Sequence, residues 1–350
     1  MLFVSKFFPL KTVEKNKICI FVDVVNHTDD NYMKRIDFPR LSRLRETWVI
    51  LAVSVVSVLS AQTYRPISTW PAETNERIEE FLQTTLSITD RKVAVFDCDG
   101  TVFGQAPYYL ADEALYAYAQ THYRERTDRL ARQKMAIIDR MVKDGNNVGK
   151  PYVENRVHFF AGMTPEEIAT IGYDCYMRSY KGKMYPEMKA LIANLKEFGF
   201  EVWILTASPE FLYQRFVADE LGIPVTHVLG VKGVVKNGVM SDEIIMPIPQ
   251  DDGKAQVIPT YIKAVPLIVG GNSRGDMDML NESRGLKIVV NPDDVTVRGE
   301  ADGPMNGHTV KSYWEKEGAL IVRCNDVRDT QVDFKTALFE IRTNAENMKP

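Results

Sequence analysis

A run of uninterrupted apolar residues, Val93-Ala94-Val95-Phe96, stops abruptly at two carboxylates, Asp97 and Asp99, followed by Gly100 and Thr101. A strand with no polar alternation is one buried on both faces. That requires helices above and below a largely parallel sheet. Residues at i and i+2 leave a strand on the same side, so Asp97 and Asp99 point together from its carboxyl end, where such sheets place their ligands. Two acids in apolar surroundings repel each other and are costly unless a cation joins them. A solvated Asp-x-Asp-Gly turn is the plainer alternative. A calcium-loop reading lacks the later EF-hand ligands.

The rest of the chain repeats the strand–helix alternation. Ile78, Phe81 and Leu82 predict an amphipathic helix over 75–87. Residues 201–205 predict a strand ending at Thr206, with Ser208-Pro209-Glu210 capping a helix to about Leu221. A strand over 227–231, a hairpin over 234–240 turning at Asn237-Gly238, and strands over 267–269 and 286–290 follow. The pattern predicts an α/β fold with a doubly wound parallel sheet. Between the first two strands lies a block too long for an ordinary crossover. It carries a helix start at Thr164-Pro165-x-Glu167 and a helix over 186–198 closed by Gly199. This block reads as an inserted helical cap, with boundaries at 105–194, and the core as 62–104 and 195–350. The stretch from 306 onward is expected to add a last strand and helix to that core.

Residues 47–61 are apolar or small and uncharged, too short for a membrane span but suited to a secretory signal. Met33-Lys34-Arg35, Arg40, Arg43 and Arg45 precede the run, and Ser60-Ala61-Gln62 follows it. Residues 1–32 thus read as an upstream extension, 33–61 as a signal peptide, and the mature chain as starting near Gln62. Such a chain works outside the cytoplasm, a bacterial periplasm being the simplest case, with no stable membrane span after cleavage. The alternative is an uncleaved anchor or a buried strand. Net charge is −4 over 350 residues, which offers no basic excess for nucleic acid. Cys19, Cys98, Cys175 and Cys324 form no metal-ligand spacing. Cys175 and Cys324 either pair in an exported chain or stay buried as thiols.

Three further features stand at element ends. Thr206 and Ala207 close the second strand, where a hydroxyl and the amides of the following helix can hold an anion. Lys254 opens a helix. Asn272 and Asp276 follow Leu267-Ile268-Val269-Gly270-Gly271. Each alone reads equally as a helix cap, a surface lysine or a Gly/Asn turn. Gly253-Lys254 is followed by Ala255, so it is not a P-loop, and no GxGxxG follows the first strand. Taken in order with Asp97-x-Asp99-Gly100-Thr101, the set resembles the four motifs of the haloacid dehalogenase superfamily of phosphatases. The insertion resembles the helical cap of its phosphoserine phosphatase-like and phosphorylcholine phosphatase-like members.

That resemblance implies a phosphoric monoester hydrolase acting on a small phosphorylated substrate through an aspartyl-phosphate. Asp97 would be the nucleophile and Asp99 the general acid and base. Mg²⁺ would be held by Asp97, the Asp99 backbone carbonyl and Asn272, with Asp276 supporting the metal waters or Lys254. Thr206, Ala207, Lys254, Gly100 and Thr101 would hold phosphate oxygens. Many relatives carry Asp where this chain has Asn272, so weaker metal binding is implied. Asp99 argues against the name-giving dehalogenases, which lack the second acid. Phe103 to Pro107 contains no glutamate where phosphoserine phosphatases have one. Tyr108, Tyr109, Phe159 and Phe160 would either form an aromatic cage for a quaternary ammonium or pack the cap. Arg156 and Arg178 are candidates for a second anionic group. His122, His158, His227 and His308 are expected to be structural. A phosphotransferase and a non-catalytic phosphate- or metabolite-binding protein are the competing functions.

Overall fold

The structure is a computed structural model and describes residues 62–144, 149–326 and 332–341. The upstream extension, the signal segment and Cys19 lie outside the described residues.

Helix α1 (Ala72–Thr84) leads into strand β1 (Lys92–Asp97), every residue of which is buried. Helices α2 (Leu110–His122), α3 (Arg129–Asp144), α4 (Lys150–Phe159) and α5 (Pro165–Cys175) follow. A π turn over Tyr176–Tyr180 and helix α6 (Pro186–Glu197) bring the chain back to β2 (Phe200–Pro209) and α7 (Glu210–Leu221). Then come β3 (Val228–Lys236), β4 (Val239–Ile245), α8 (Asp252–Val257), β5 (Ile268–Gly271), α9 (Met277–Asn281), β6 (Leu286–Val290), α10 (Val310–Lys316) and β7 (Leu320–Val322).

Among the described residues these strands form a seven-stranded sheet in the order β4-β3-β2-β1-β5-β6-β7. All neighbours pair in parallel except β3 and β4, whose hairpin turns at Asn237 (φ 52°) and Gly238 (φ 82°). The α/β, doubly wound prediction is thereby met. Val93 and Val95 face a core containing Val257, Met279 and Trp314; Ala94 and Phe96 face another containing Leu191, Phe216 and Ile248. Each of the buried Val, Leu, Ile, Phe and Met side chains stabilises the fold by about 1.5–3 kcal/mol relative to exposure, and burial on both faces explains why β1 lacks alternation.

Strand β1 pairs with β2 and β5, opposing Asp97 to Leu205 and Phe96 to Gly270. That register sets Thr206 and the Gly271-Asn272 turn beside the first carboxylate. Strand β2 runs on to Pro209 rather than ending at Thr206, because its pairing with β3 shifts between Leu205 and Pro209.

The capping box at the start of α5 forms as predicted, with the Glu167 amide bonded to the Thr164 hydroxyl and the Thr164 amide to the Glu167 carboxylate. The expected boundary at 194/195 falls inside α6, which packs against β2. Helix α6 is therefore the crossover helix of the sheet. Cys98, Cys175 and Cys324 are buried free thiols, so Cys175 and Cys324 do not pair.

The chain end adds the expected last helix and strand, α10 and the edge strand β7, to the core, but the segment 332–341 packs on the cap helix α2. Phe334 meets Tyr108 at 5.6 Å between centroids, and Phe339 meets Tyr116 at 5.0 Å. The cause is Glu113, a fully buried carboxylate in the first turn of α2 that needs donors. It accepts the Lys335 and Thr336 amides at 3.0 and 2.9 Å and the Thr336 hydroxyl at 2.8 Å. Glu113→Ala strands these donors and is expected to cost about 2–3 kcal/mol in urea unfolding, with Glu113→Gln costing less.

Candidate active site

Three buried side chains from three separated segments meet where β1 and β5 end. The Lys254 ammonium, in the first turn of α8, donates to Asp97 Oδ1 at 2.5 Å and to Asp276 Oδ1 at 2.6 Å. All three are nearly excluded from solvent. The Thr101 hydroxyl donates to the other oxygen of Asp97 at 3.0 Å. Asp276 Oδ2 accepts the amides of Asn272 and Ser273 at 2.9 and 3.0 Å and the Ser273 hydroxyl at 3.1 Å. Gly271 permits this fold-back: a Cβ there would stand 2.5 Å from Asp276 Cβ.

Asp99 lies on the same side of the strand end as Asp97 but belongs to a different network. Its Oδ2 accepts the Thr206 hydroxyl at 3.3 Å and the Ser208 hydroxyl at 3.2 Å; its Oδ1 accepts the Tyr213 hydroxyl at 2.8 Å. The Ser208 amide donates to the Thr206 hydroxyl oxygen at 3.1 Å. Ser208, expected as a helix cap, thus directs its hydroxyl at Asp99, and α7 begins after Pro209 with no side-chain cap. Thr206 and Ala207 lie within the last part of β2, where its pairing with β3 shifts, Thr206 buried and Ala207 partly so.

Gly100 makes the tight turn between the two networks, at φ 88°, where a side chain would be strained. A Cβ on it would also come within 2.0 Å of the Asn272 side-chain nitrogen. The Asn272 amide therefore lies directly over the turn that carries Asp97 and Asp99.

The charges explain the proton affinities. Burial pushes the Asp97 carboxyl up, Lys254 pulls it down, and Asp276 and Asp99 push it up again, leaving it at about 7. Burial opposes ionisation of Asp276 too, but Lys254 and the Asn272 and Ser273 amides hold it below the usual carboxylate range. Burial would depress the Lys254 ammonium; Asp276 and Asp97 lift it above the ordinary lysine value. Asp99 is raised by burial, against the opposing pull of Tyr213, Arg156, Ser208 and Thr206.

Arg156, on α4, reaches this side of the cap and is 2% exposed. Its guanidinium pairs with Asp112 at 2.8 Å and lies over the rings of Tyr109 and Tyr152. Arg178 is half exposed and stands 3.6 Å from Glu113. The four aromatics weighed as a cage do not converge. Phe159 packs edge-on against Tyr118, Tyr123 and Phe160, Tyr108 packs on Phe334, and Tyr109 covers Arg156. They serve the cap's packing. His122 stacks on Tyr118 and His227 on Trp203, both in structural roles.

Sequence reasoning missed the hydroxyls of Ser208 and Tyr213 and the Asp112–Arg156 pair. Ser208 carried a signal, since it lies two residues beyond Thr206 and shares its side of an extended chain. Tyr213 carried none: on α7 it is indistinguishable from the apolar residues around it.

The donor set suits a hard divalent cation. Asp97 and the Asp99 carbonyl offer oxygen, and the Asn272 amide beside them offers a neutral oxygen. Around the site Asp97, Asp99, Asp112 and Asp276 face only Lys254 and Arg156 as fixed cations among the residues that perturb them. Ionised together they leave a surplus of two negative charges. No group of three or more His, Cys, Asp or Glu able to hold a metal occurs among the described residues. Mg²⁺ does not need one, since it retains waters and takes one or two carboxylates.

A carboxyl with a raised folded pKa favours folding most below its unfolded value and loses that contribution as pH climbs through the folded one. Without divalent metal, wild type should therefore lose stability relative to Asp97→Asn as pH rises from 3.8 to about 7. The gap should be on the order of a few kcal/mol and level off above that range. Thermal melts of both proteins in EDTA across this range test it.

A sequence profile of the haloacid dehalogenase-like hydrolases matches residues 94–281, more than half of the chain. No curated protein matches. Among solved structures, a conserved functionally unknown protein from Anaerococcus prevotii DSM 20548 is similar at 15% identity and a TM-score of 0.53, over 74% of this chain and 96% of that one. A protein of unknown function from Bordetella pertussis Tohama I is similar at 16% identity and a TM-score of 0.49, over 67% and 99%. A phospho-aspartyl intermediate analogue of phosphoserine phosphatase is similar at 16% identity and a TM-score of 0.40, over 73% and 100%. The Anaerococcus protein carries the likeness of fold, and the profile carries the assignment: this chain belongs to the haloacid dehalogenase-like hydrolase family.

Proposed function

We propose that the chain is an exported, Mg²⁺-dependent phosphomonoesterase that hydrolyses a small phosphorylated metabolite through an aspartyl-phosphate on Asp97. The observation that carries this reading is the Lys254 ammonium bridging Asp97 and Asp276. It draws three separated segments to the strand end that carries Asp97, with Asp99 two residues further along the chain. Binding phosphate needs a cation and amides; it does not need a second carboxyl two residues beyond the first.

In this reading an Asp97 oxygen attacks phosphorus and the bond to the leaving oxygen breaks. Asp99 delivers its proton to that oxygen. Asp99 then takes a proton from water as the water oxygen bonds to phosphorus and the Asp97–phosphorus bond breaks, releasing inorganic phosphate. Lys254 holds Asp97 in place and offsets charge on the phosphoryl oxygens, Thr101 orients the second Asp97 oxygen, and the Ala207 amide lines the anion's approach; the Gly100 and Thr101 amides, expected as phosphate donors, are instead bonded to the Phe103 and Cys98 carbonyls, and the Thr206 hydroxyl is bonded to Asp99. Asp276 keeps Lys254 charged. Mg²⁺, held by Asp97, the Asp99 carbonyl and Asn272, would neutralise the repulsion between carboxylate and phosphate dianion. Uncatalysed monoester hydrolysis is slow enough that about 20 kcal/mol or more of barrier reduction is required, mostly from such positioning and charge.

Export rests on the sequence of residues 33–61. Among the described residues no helix is long and apolar enough to cross a membrane. N-terminal sequencing of the protein secreted by a bacterial host should give a start near Gln62; retention of residues 47–61 would favour an anchor.

Residues 62–350 are expected to hydrolyse p-nitrophenyl phosphate with Mg²⁺ and to stop in EDTA. Asp97→Asn should lose on the order of a thousandfold or more. Folded protein that binds phosphate without turnover would instead mark a binding protein. Phosphoryl transfer to an added alcohol would mark a phosphotransferase.

A further inference from the structure

Tyr213 lies on α7, outside the four motifs, and its side chain is fully buried. Its ring packs against Phe216 at 5.2 Å between centroids, a contact phenylalanine would make equally well. Its hydroxyl is bound differently. It accepts the amide N–H of Ala111 at 3.2 Å and donates to Asp99 Oδ1 at 2.8 Å.

The direction of this pair is set by chemistry. An amide N–H only donates, so it occupies a lone pair of the tyrosine oxygen and leaves the single phenolic hydrogen for Asp99. Ala111 is in the first turn of α2, where backbone N–H groups have no partner within the helix. A cap helix thus supplies the amide that points a core tyrosine at Asp99. The Thr206 and Ser208 hydroxyls both engage Oδ2, so Tyr213 is the side chain bonded to Oδ1 among the described residues.

We propose that Tyr213 is a positioning residue for Asp99: its hydroxyl, oriented by the Ala111 amide of the cap, holds that carboxylate in the orientation its proton transfers require. This inference rests on the assignment of Asp99 as general acid and base.

The test separates the two half-reactions. p-Nitrophenolate leaves with its electron pair and needs no proton, so forming the Asp97 phosphoenzyme from p-nitrophenyl phosphate does not draw on Asp99. Its breakdown does, since Asp99 must take the proton of the attacking water. Rapid mixing of Tyr213→Phe with this ester should give a burst of p-nitrophenolate with wild-type rate constant and near-stoichiometric amplitude. The following steady state should be about tenfold or more slower than wild type. Added to Asp99→Asn, Tyr213→Phe should cause no further loss, as expected when one residue acts through the other.

Burst and steady state falling together, with a lowered thermal midpoint, would make Tyr213 a packing residue and overturn the proposal. So would an undiminished effect of Tyr213→Phe in the Asp99→Asn background. Wild type that turns over no phosphate ester defeats the enzymatic reading itself and is recognised before any variant is made.

Discussion

Lys254 carries one positive charge into a pocket where Asp97 and Asp276 each present an oxygen within 2.6 Å. The two carboxylates are buried, and without the ammonium between them both would be driven to protonate. The sharing is asymmetric. Asp276 also takes two amides and a hydroxyl and stays ionised, so it fixes the lysine; Asp97 has only Thr101 besides among the described residues and is left with a raised proton affinity. The carboxylate with fewer supports is the one free to form a bond. Much of the local architecture answers to this contact: the Gly271 turn that folds Asp276 back, the placement of Lys254 in the first turn of α8, and the burial of every residue of β1.

The first turn of α2 plays the corresponding role in the cap. Three consecutive residues are committed to three partners: Ala111 to Tyr213, Asp112 to Arg156 on α4, and Glu113 to the chain segment 335–336. Two of these are fully buried carboxylates, costly alone and tolerated because each is satisfied. Burial of charge here serves specificity of arrangement, since a cap held by apolar packing alone could slide. The segment 332–341 adds aromatic packing on Tyr108 and Tyr116 to the Glu113 contacts. The cap is thus bounded by the core on one side and by a segment near the end of the chain on another.

How much of this was legible follows from how local each cause is. The unbroken apolar run of β1, the Asn237-Gly238 turn and the Thr164–Glu167 capping box are each set by neighbours within a few residues, and each formed as read. The sheet followed from strands alternating with helices. The last helix and strand formed on the core as read, whereas the docking of 332–341 was not legible because its partner, Glu113, lies more than two hundred residues away. The cap boundary was drawn through α6 for a related reason: an amphipathic helix shows that it packs, and its periodicity does not name the surface.

By itself the amino-acid order determined the class of fold, the placement of Asp97, Asp99, Thr206, Asn272 and Asp276 near strand ends and of Lys254 at a helix start, and the block of helices between the first two strands. These depend on burial period, turn chemistry and the order of residues along the chain. Only the tertiary structure decided which of those groups touch. Thr206 serves Asp99, Lys254 is shared by Asp97 and Asp276, Tyr213 and Arg156 enter the site, and the aromatics of the cap are spent on packing. Hydrogen bonds and ion pairs act over about 3 Å, whereas the segments that supply them are tens to hundreds of residues apart. Their pairing is fixed by the register of β1 against β2 and β5 and by the docking of the cap, neither of which any short stretch of sequence contains.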